Sequence, residues 1–193
     1  MHIIRDDLSD RLVHLTKGEE AFETFVHILN DKALKGGNGF IKGGHKCVCF
    51  SEAPISKLPQ VLSTPHDTIK YRPYGFIFTK RWVFEKGGRP VIYQPDGDYD
   101  ILPLEKKHLH VRFWLSETCQ VDHTWEREWR IKTDKLDFTP ADTTLLIPTR
   151  NVSDALKEHW SHEQAKLGSH EDYPWHHIVL DDLGIEIPDY LPK

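Results

Sequence analysis

Two acids, Glu126 and Glu128, stand two residues apart in the segment Trp125-Glu126-Arg127-Glu128-Trp129-Arg130-Ile131. The segment alternates as a strand does. That predicts Trp125, Arg127, Trp129 and Ile131 on one face and Glu126, Glu128 and Arg130 on the other. Glutamate is depleted in strands, and like charges on one face repel. The pair therefore costs stability unless Arg130 offsets it or a ligand uses it. Close, partly buried carboxylates have their pKa values pushed apart. Such pairs occur in sites that bind ribose hydroxyls or stabilise a cationic transition state. The plainer reading is a solvent-facing strand. Two further clusters carry polar groups at strand ends: His14-Leu15-Thr16 and Phe50-Ser51-Glu52. Taken singly, a strand histidine is a satisfied core residue and a serine at a strand end is a helix cap.

Several elements must position these groups. Leu12 to Leu15 reads as a short strand. Thr16 followed by Glu19 has the capping-box spacing, ahead of a helix over Glu20 to Asn30. Glycines from Gly36 to Gly44 open a flexible loop. Cys47 to Ser51 is β-prone and apolar, a buried strand. A short helix is expected around Ile55 to Leu62. Tyr74 to Phe78 is a strand, continued or interrupted near Trp82 to Phe84, with another at Pro90 to Tyr93. Leu104 to Glu117 is helix or strand. Thr144 to Pro148 is a strand. Asn151 or Ser153 caps a helix that runs to Leu167 and stops at Gly168. Trp175 to Leu180 is the last strand. The order predicts an α+β fold built mostly on antiparallel pairing. No repeat or linker interrupts it, so residues 1–193 read as one domain.

The 193 residues carry a formal charge of −5, with 38% hydrophobic and 28% charged side chains. This excludes a disordered tail, a coiled coil and a collagen-like fibre. No apolar run is long enough to span a membrane. The acidic opening through Asp6 and Asp7 is unlike a secretory signal. Three cysteines (Cys47, Cys49 and Cys119) are too few for a disulfide framework, which points to a reduced, cytoplasmic compartment. The 13 histidines are scattered without metal-ligand spacing, so no metal is expected. Charge is uneven: Lys32 to Arg89 holds 11 Lys and Arg against 3 acids, and Val91 to Lys193 holds 11 against 20. That is ordinary surface variation, or a basic half that faces phosphates. Lys42, Lys46, Arg72, Lys80 and Arg81 are the candidates for the phosphate role.

Taken in order, Val13-His14-Leu15-Thr16, Cys49-Phe50-Ser51-Glu52, Tyr74-Gly75-Phe76 and Trp125-Glu126-Arg127-Glu128-Trp129-Arg130 resemble the ADP-ribosyltransferase superfamily. The nearest likeness is to DarT-like bacterial toxins and phage-defence proteins. The resemblance is one of motif and order over about residues 12 to 131. It implies a split mixed or antiparallel sheet with flanking helices and NAD as co-substrate. His14 and Thr16 would contact an NAD ribose, with His14 standing where the family often has arginine. Phe50 and Ser51 would line the cofactor site, and Ser51 would support the glutamate. Tyr71, Tyr74 or Tyr93 would stack on nicotinamide, and Arg81 would face the pyrophosphate. Glu128 would grip the ribose 2′-hydroxyl, and Glu126 would orient the acceptor. The acceptor would be a nucleic acid in preference to a protein, and a toxin of this kind would have an antitoxin partner. A non-catalytic module of the same fold that binds a nucleotide or nucleic acid is the alternative.

Cleaving a nicotinamide–ribose bond builds positive charge at the anomeric carbon, which a fixed carboxylate stabilises. Such a reaction needs no protein nucleophile. The sequence carries no Gly-x-Ser-x-Gly or phosphate-loop signature that would supply a different chemistry.

Overall fold

The computed structural model describes residues 9–57 and 71–185. Strands β1 (Arg11–Lys17), β2 (Ala33–Lys35), β3 (Cys47–Ser51), β4 (Tyr71–Thr79), β5 (Arg89–Pro90), β6 (Ile92–Gln94) and β7 (His110–Arg112) come first in the chain. They are followed by β8 (Trp114–Leu115), β9 (Gln120–Val121), β10 (Glu128–Lys132), β11 (Lys135–Asp137), β12 (Thr143–Ile147) and β13 (His176–Val179). The helices are α1 (Ala21–Asp31), α2 (Lys80–Glu85) and α3 (Arg150–Lys166). The fold is mixed α+β with a mostly antiparallel sheet. Seven strands follow the order β13-β12-β4-β1-β3-β10-β5. Beside them stand three two-stranded pairings, β2 with β11, β6 with β7, and β8 with β9.

The described residues divide into two compact units, one of residues 9–14, 32–55 and 78–137 and the other of 15–31, 56–57, 71–77 and 138–185. The division falls inside β1 and β4, so no linker composition marks it.

In the first unit β3 and β10 pair antiparallel, with Ser51 opposite Glu128, Phe50 opposite Trp129 and Cys49 opposite Arg130. β1 joins the other edge of β3 antiparallel, with Val13 opposite Ser51. One face of β3 and β10 supplies core: Val48, Phe50, Trp129 and Ile131 are all buried. Thr79 has an extended backbone, and its Oγ accepts the Trp82 N–H at 3.1 Å, which starts α2. Trp82 then stacks on Phe78 at 4.7 Å. Of the two readings of Trp82 to Phe84, a continued or an interrupted strand, the interruption holds: β4 ends at Thr79 and the run is helical. The run is apolar, but the threonine cap and the room left by Gly88 close it into a helix. A Cβ on Gly88 would lie 2.5 Å from Val83 Cγ1.

In the second unit β12 and β13 run parallel. Phe25 and Phe76 are fully buried and pack 4.9 Å apart, and Phe138 and Trp175 extend the aromatic core. The capping box at Thr16 is also corrected. Thr16 lies inside β1, buried, and its hydroxyl donates to the Tyr74 carbonyl at 3.0 Å. α3 is capped by Thr149, whose Oγ accepts the Val152 N–H, rather than by Asn151 or Ser153. Those two lie within the helix, and Ser153 faces His177. The chain past Ile55 forms one short turn, Ile55–Lys57, and the rest of the helix expected to Leu62 lies outside the described residues, as does the acidic opening. Among the described residues no helix is long and apolar enough to cross a membrane.

Candidate functional site

The motif strands β1, β3 and β10 are neighbours in the sheet, and the polar cluster forms where β3 ends and β10 begins. Ser51 closes β3. Its Oγ donates to the Glu126 carbonyl at 2.7 Å and accepts the Ala53 N–H at 3.1 Å. One hydroxyl therefore ties the end of β3 to the turn that leads into β10.

That turn corrects the expected continuous strand. Thr124–Glu126 is a 3₁₀ turn, and Arg127 follows in the left-handed region at φ 45°, ψ 51°. A residue with a Cβ is disfavoured there. β10 begins only at Glu128. Glu126 and Glu128 are thus not two rungs of one strand face. Glu126 is buried on the turn, and Glu128 stands on β10 with Arg130 on the same face. The predicted grouping of Glu128 with Arg130, and of Trp129 with Ile131, does hold.

Glu128 is held from several sides. Arg130 Nε and Nη2 donate to its two carboxylate oxygens at 2.8 and 3.0 Å. The two side chains are 7% and 13% exposed, so the pair is nearly sealed from water. Arg130 Nη1 donates to the carbonyls of His108 and His110 at 2.9 and 3.0 Å. Desolvation pulls the guanidinium pKa down, but the hydrogen bonds and charge of Glu128 outweigh it and hold it above its ordinary value. A bidentate carboxylate still has lone pairs beyond the two that Arg130 takes. Cys49, beside Arg130 in the register, is kept firmly a thiol by burial and by the Glu128 charge.

Tyr93 joins both acids. Its hydroxyl accepts the Glu128 N–H at 3.1 Å. Burial pushes its pKa up to about 12, and the charges of Glu128 and Glu126 act in the same direction. Of the three tyrosines offered by the sequence, Tyr93 is the one beside the glutamates. Tyr74 is 3% exposed and packs against Phe22 and Phe25, which leaves no ring face for a ligand and corrects its stacking role. Tyr71 and Thr16 belong with Tyr74 to the second unit.

His14 donates through Nδ1 to the Cys49 carbonyl at 2.8 Å, because a carbonyl oxygen only accepts. In the neutral ring this places the lone pair on Nε2. The register sets Val13 in the row of Ser51 and Glu128, so His14 is one residue out of phase and lies edge-on to Phe50 at 6.0 Å. Phe50 is 2% exposed between His14 and Phe78, so its role is packing, and the expected cofactor contact is corrected.

The basic candidates are already engaged. Lys42 pairs with Asp96, Lys46 with Asp134 and Lys80 with Glu52, while Arg72 donates to the Gly18 carbonyl. Arg81 stands on the exposed side of α2 and pairs with Glu85. Glu52, the last residue of the Phe50-Ser51-Glu52 cluster, has no role of its own in the sequence reading. It is buried, it takes Lys80, and it accepts the Trp129 indole N–H at 2.8 Å. An acid immediately after an apolar strand was the signal for it. Among the described residues no group of histidine, cysteine and acid side chains has the geometry to hold a metal ion.

The chain matches no protein-family model, no curated protein and no solved structure.

Proposed function

We propose that the chain is an NAD-dependent mono-ADP-ribosyltransferase, a glycosyltransferase in chemical class, acting on a macromolecular acceptor. The observation that carries the reading is the direct pairing of Ser51 with Glu128 on adjacent strands, with β1 and His14 on the other edge of β3. Three of the four motifs of the resemblance, those on β1, β3 and β10, thereby lie on neighbouring strands of a mostly antiparallel sheet.

In this reading Glu128 offers its remaining lone pairs to the ribose 2′-hydroxyl and faces the charge that develops at the anomeric carbon. Arg130 holds the carboxylate and Tyr93 holds the Glu128 main chain, so no reorganisation is needed during the reaction. Ser51 sets the turn on which Glu126 stands, and Glu126 orients the acceptor. The C1′–N bond breaks, its electron pair goes to the nicotinamide nitrogen, and the acceptor bonds to C1′ while losing a proton. The acceptor is a nucleic acid in preference to a protein, which fits a toxin or anti-phage effector restrained by an antitoxin.

The test incubates the protein with adenylate-labelled NAD and cell extract, then separates protein, RNA and DNA. Release of nicotinamide with label in one pool is the expected result. Glu128→Gln should lower turnover on the order of a hundredfold or more. Equal turnover by the wild type and the variant would end the reading.

One observation favours a second reading. Arg130 already neutralises Glu128 in a bidentate pair. That suits a module that binds a nucleotide or nucleic acid without catalysis. Binding that survives Glu128→Gln, with no nicotinamide released, would select it.

A further inference from the structure

His45 precedes β3, and His108 lies in the turn Leu104–Leu109 that leads into β7. Their rings meet edge to face with centroids 6.4 Å apart. His108 is 9% exposed. His45 Nε2 and His108 Nδ1 are both buried and have no hydrogen-bond partner. The charges that act on the two rings are all positive. On His45 they are Lys132 of β10 and Lys107 of the turn, and on His108 they are Lys132, Arg130 and the neighbouring His45. Burial is the largest influence on each ring, and with these cations it holds both pKa values below the ordinary 6.5. The Glu105 carbonyl opposes this at His108.

The same turn and the first residue of β7 anchor the carboxylate site. The main-chain carbonyls of His108 and His110 receive Arg130 Nη1, and the other nitrogens of Arg130 hold Glu128. A continuous path therefore leads from the two touching imidazoles through the His108 main chain and Arg130 to Glu128.

We infer that His45 and His108 are proton-sensitive positioning residues, which keep Arg130 clamped on Glu128 while both rings are neutral and release it when either is charged. A proton would add a buried cation at His108, beside Lys132 and Arg130, or a half-buried one at His45, beside Lys132 and Lys107, in each case next to a nitrogen with no acceptor. Both rings gain solvation if the turn opens. A 3₁₀ turn is the weakest link available, because its hydrogen bonds are poorly aligned. Opening it withdraws the His108 carbonyl from Arg130, disturbs that of the adjoining His110 and frees Glu128 to move. The inference stands whatever Glu128 acts on.

Backbone hydrogen exchange of the full chain between pH 7.5 and 5.5, corrected for intrinsic rates, tests it. Protection at residues 108–110 and 128–130 should fall as the pH drops. The fall approaches about tenfold per pH unit if one ring takes up a proton on opening and about a hundredfold if both do. His45→Gln and His108→Gln should each flatten that dependence, because glutamine does not titrate. Unchanged protection in the wild type across this range overturns the inference, and this arm needs no variant to fold. A fall equally steep in the wild type and both variants overturns it as well.

Discussion

Arg130 closes on both carboxylate oxygens of Glu128 from two residues further along the same strand, at 2.8 and 3.0 Å. Neighbours at that spacing on a strand share a face, so the pair is written into the local sequence. The guanidinium is also spent on two main-chain carbonyls, which makes it the hub of the cluster.

Removing the hub should be costly. Arg130→Met strands a nearly sealed carboxylate and two carbonyls, and should destabilise the protein by about 3–5 kcal/mol. Glu128→Leu leaves the guanidinium unpaired and should also destabilise. The double variant should cost less than the sum of the single changes, by about 0.5–3 kcal/mol, because neither charge is then left alone. Urea denaturation of the four proteins measures this. Strict additivity would mean that the two side chains do not depend on each other.

Arg127 separates the two acids in a left-handed conformation at φ 45°. Arg127→Ala and Arg127→Gly both delete the side chain and its contacts, so their difference isolates the backbone. The glycine variant should be more stable than the alanine variant by about 1 kcal/mol, the reverse of the order found in regular helices and strands. A more stable alanine variant would place this residue outside the left-handed region in solution.

These two positions show what was legible in the sequence. The strand Cys47 to Ser51 was plain because an apolar β-prone run is bounded by a glycine-rich loop and a proline. The alternation in Trp129-Arg130-Ile131 was real. Extending it back through Glu126 failed, because a left-handed arginine has no sequence signal that glycine or asparagine would give. The two acids still come into one electrostatic neighbourhood, through Tyr93 and the Ser51 hydroxyl. Those are long-range contacts, which periodicity does not encode. The same holds for Thr16, where a helix-capping pattern gave way to burial of the threonine in a strand. Of the tyrosines, only packing separated Tyr93 from Tyr74.

Ser51 should matter beyond its size. Ser51→Ala removes the bond to the Glu126 carbonyl and the acceptor for the Ala53 N–H. About 1–3 kcal/mol of stability should be lost, because buried backbone groups are left unmet. If the proposed transfer is correct, turnover should also fall, while Ser51→Thr retains the hydroxyl and restores part of both. An alanine variant with wild-type stability would mean that solvent reaches this turn and replaces the hydroxyl.

The second unit holds a separate histidine with its own pH signature. His177 of β13 has Ser153 Oγ on Nδ1 and the Tyr173 hydroxyl on Nε2, each at 2.7 Å. Burial, aided by Lys157 and His176, lowers its pKa from 6.5 to about 4. The same burial raises that of Tyr173. In the unfolded chain the ring takes up its proton as the pH falls through 6.5. In the folded chain it does so only near pH 4. Its contribution to stability is therefore whole at neutral pH, is lost progressively below about 6.5, and is gone near 4. The loss is on the order of 2 kcal/mol once the partial exposure of the ring is discounted. Replacing it by His177→Gln should lower stability at pH 7.5, where both hydrogen bonds are disturbed, and should flatten the dependence of urea stability between about pH 6.5 and 4.5 by that amount. Other histidines contribute equally to both proteins and cancel in the comparison. An unchanged pH slope in the variant would show that His177 ionises alike in the folded and unfolded chain, and that burial does not hold the ring neutral.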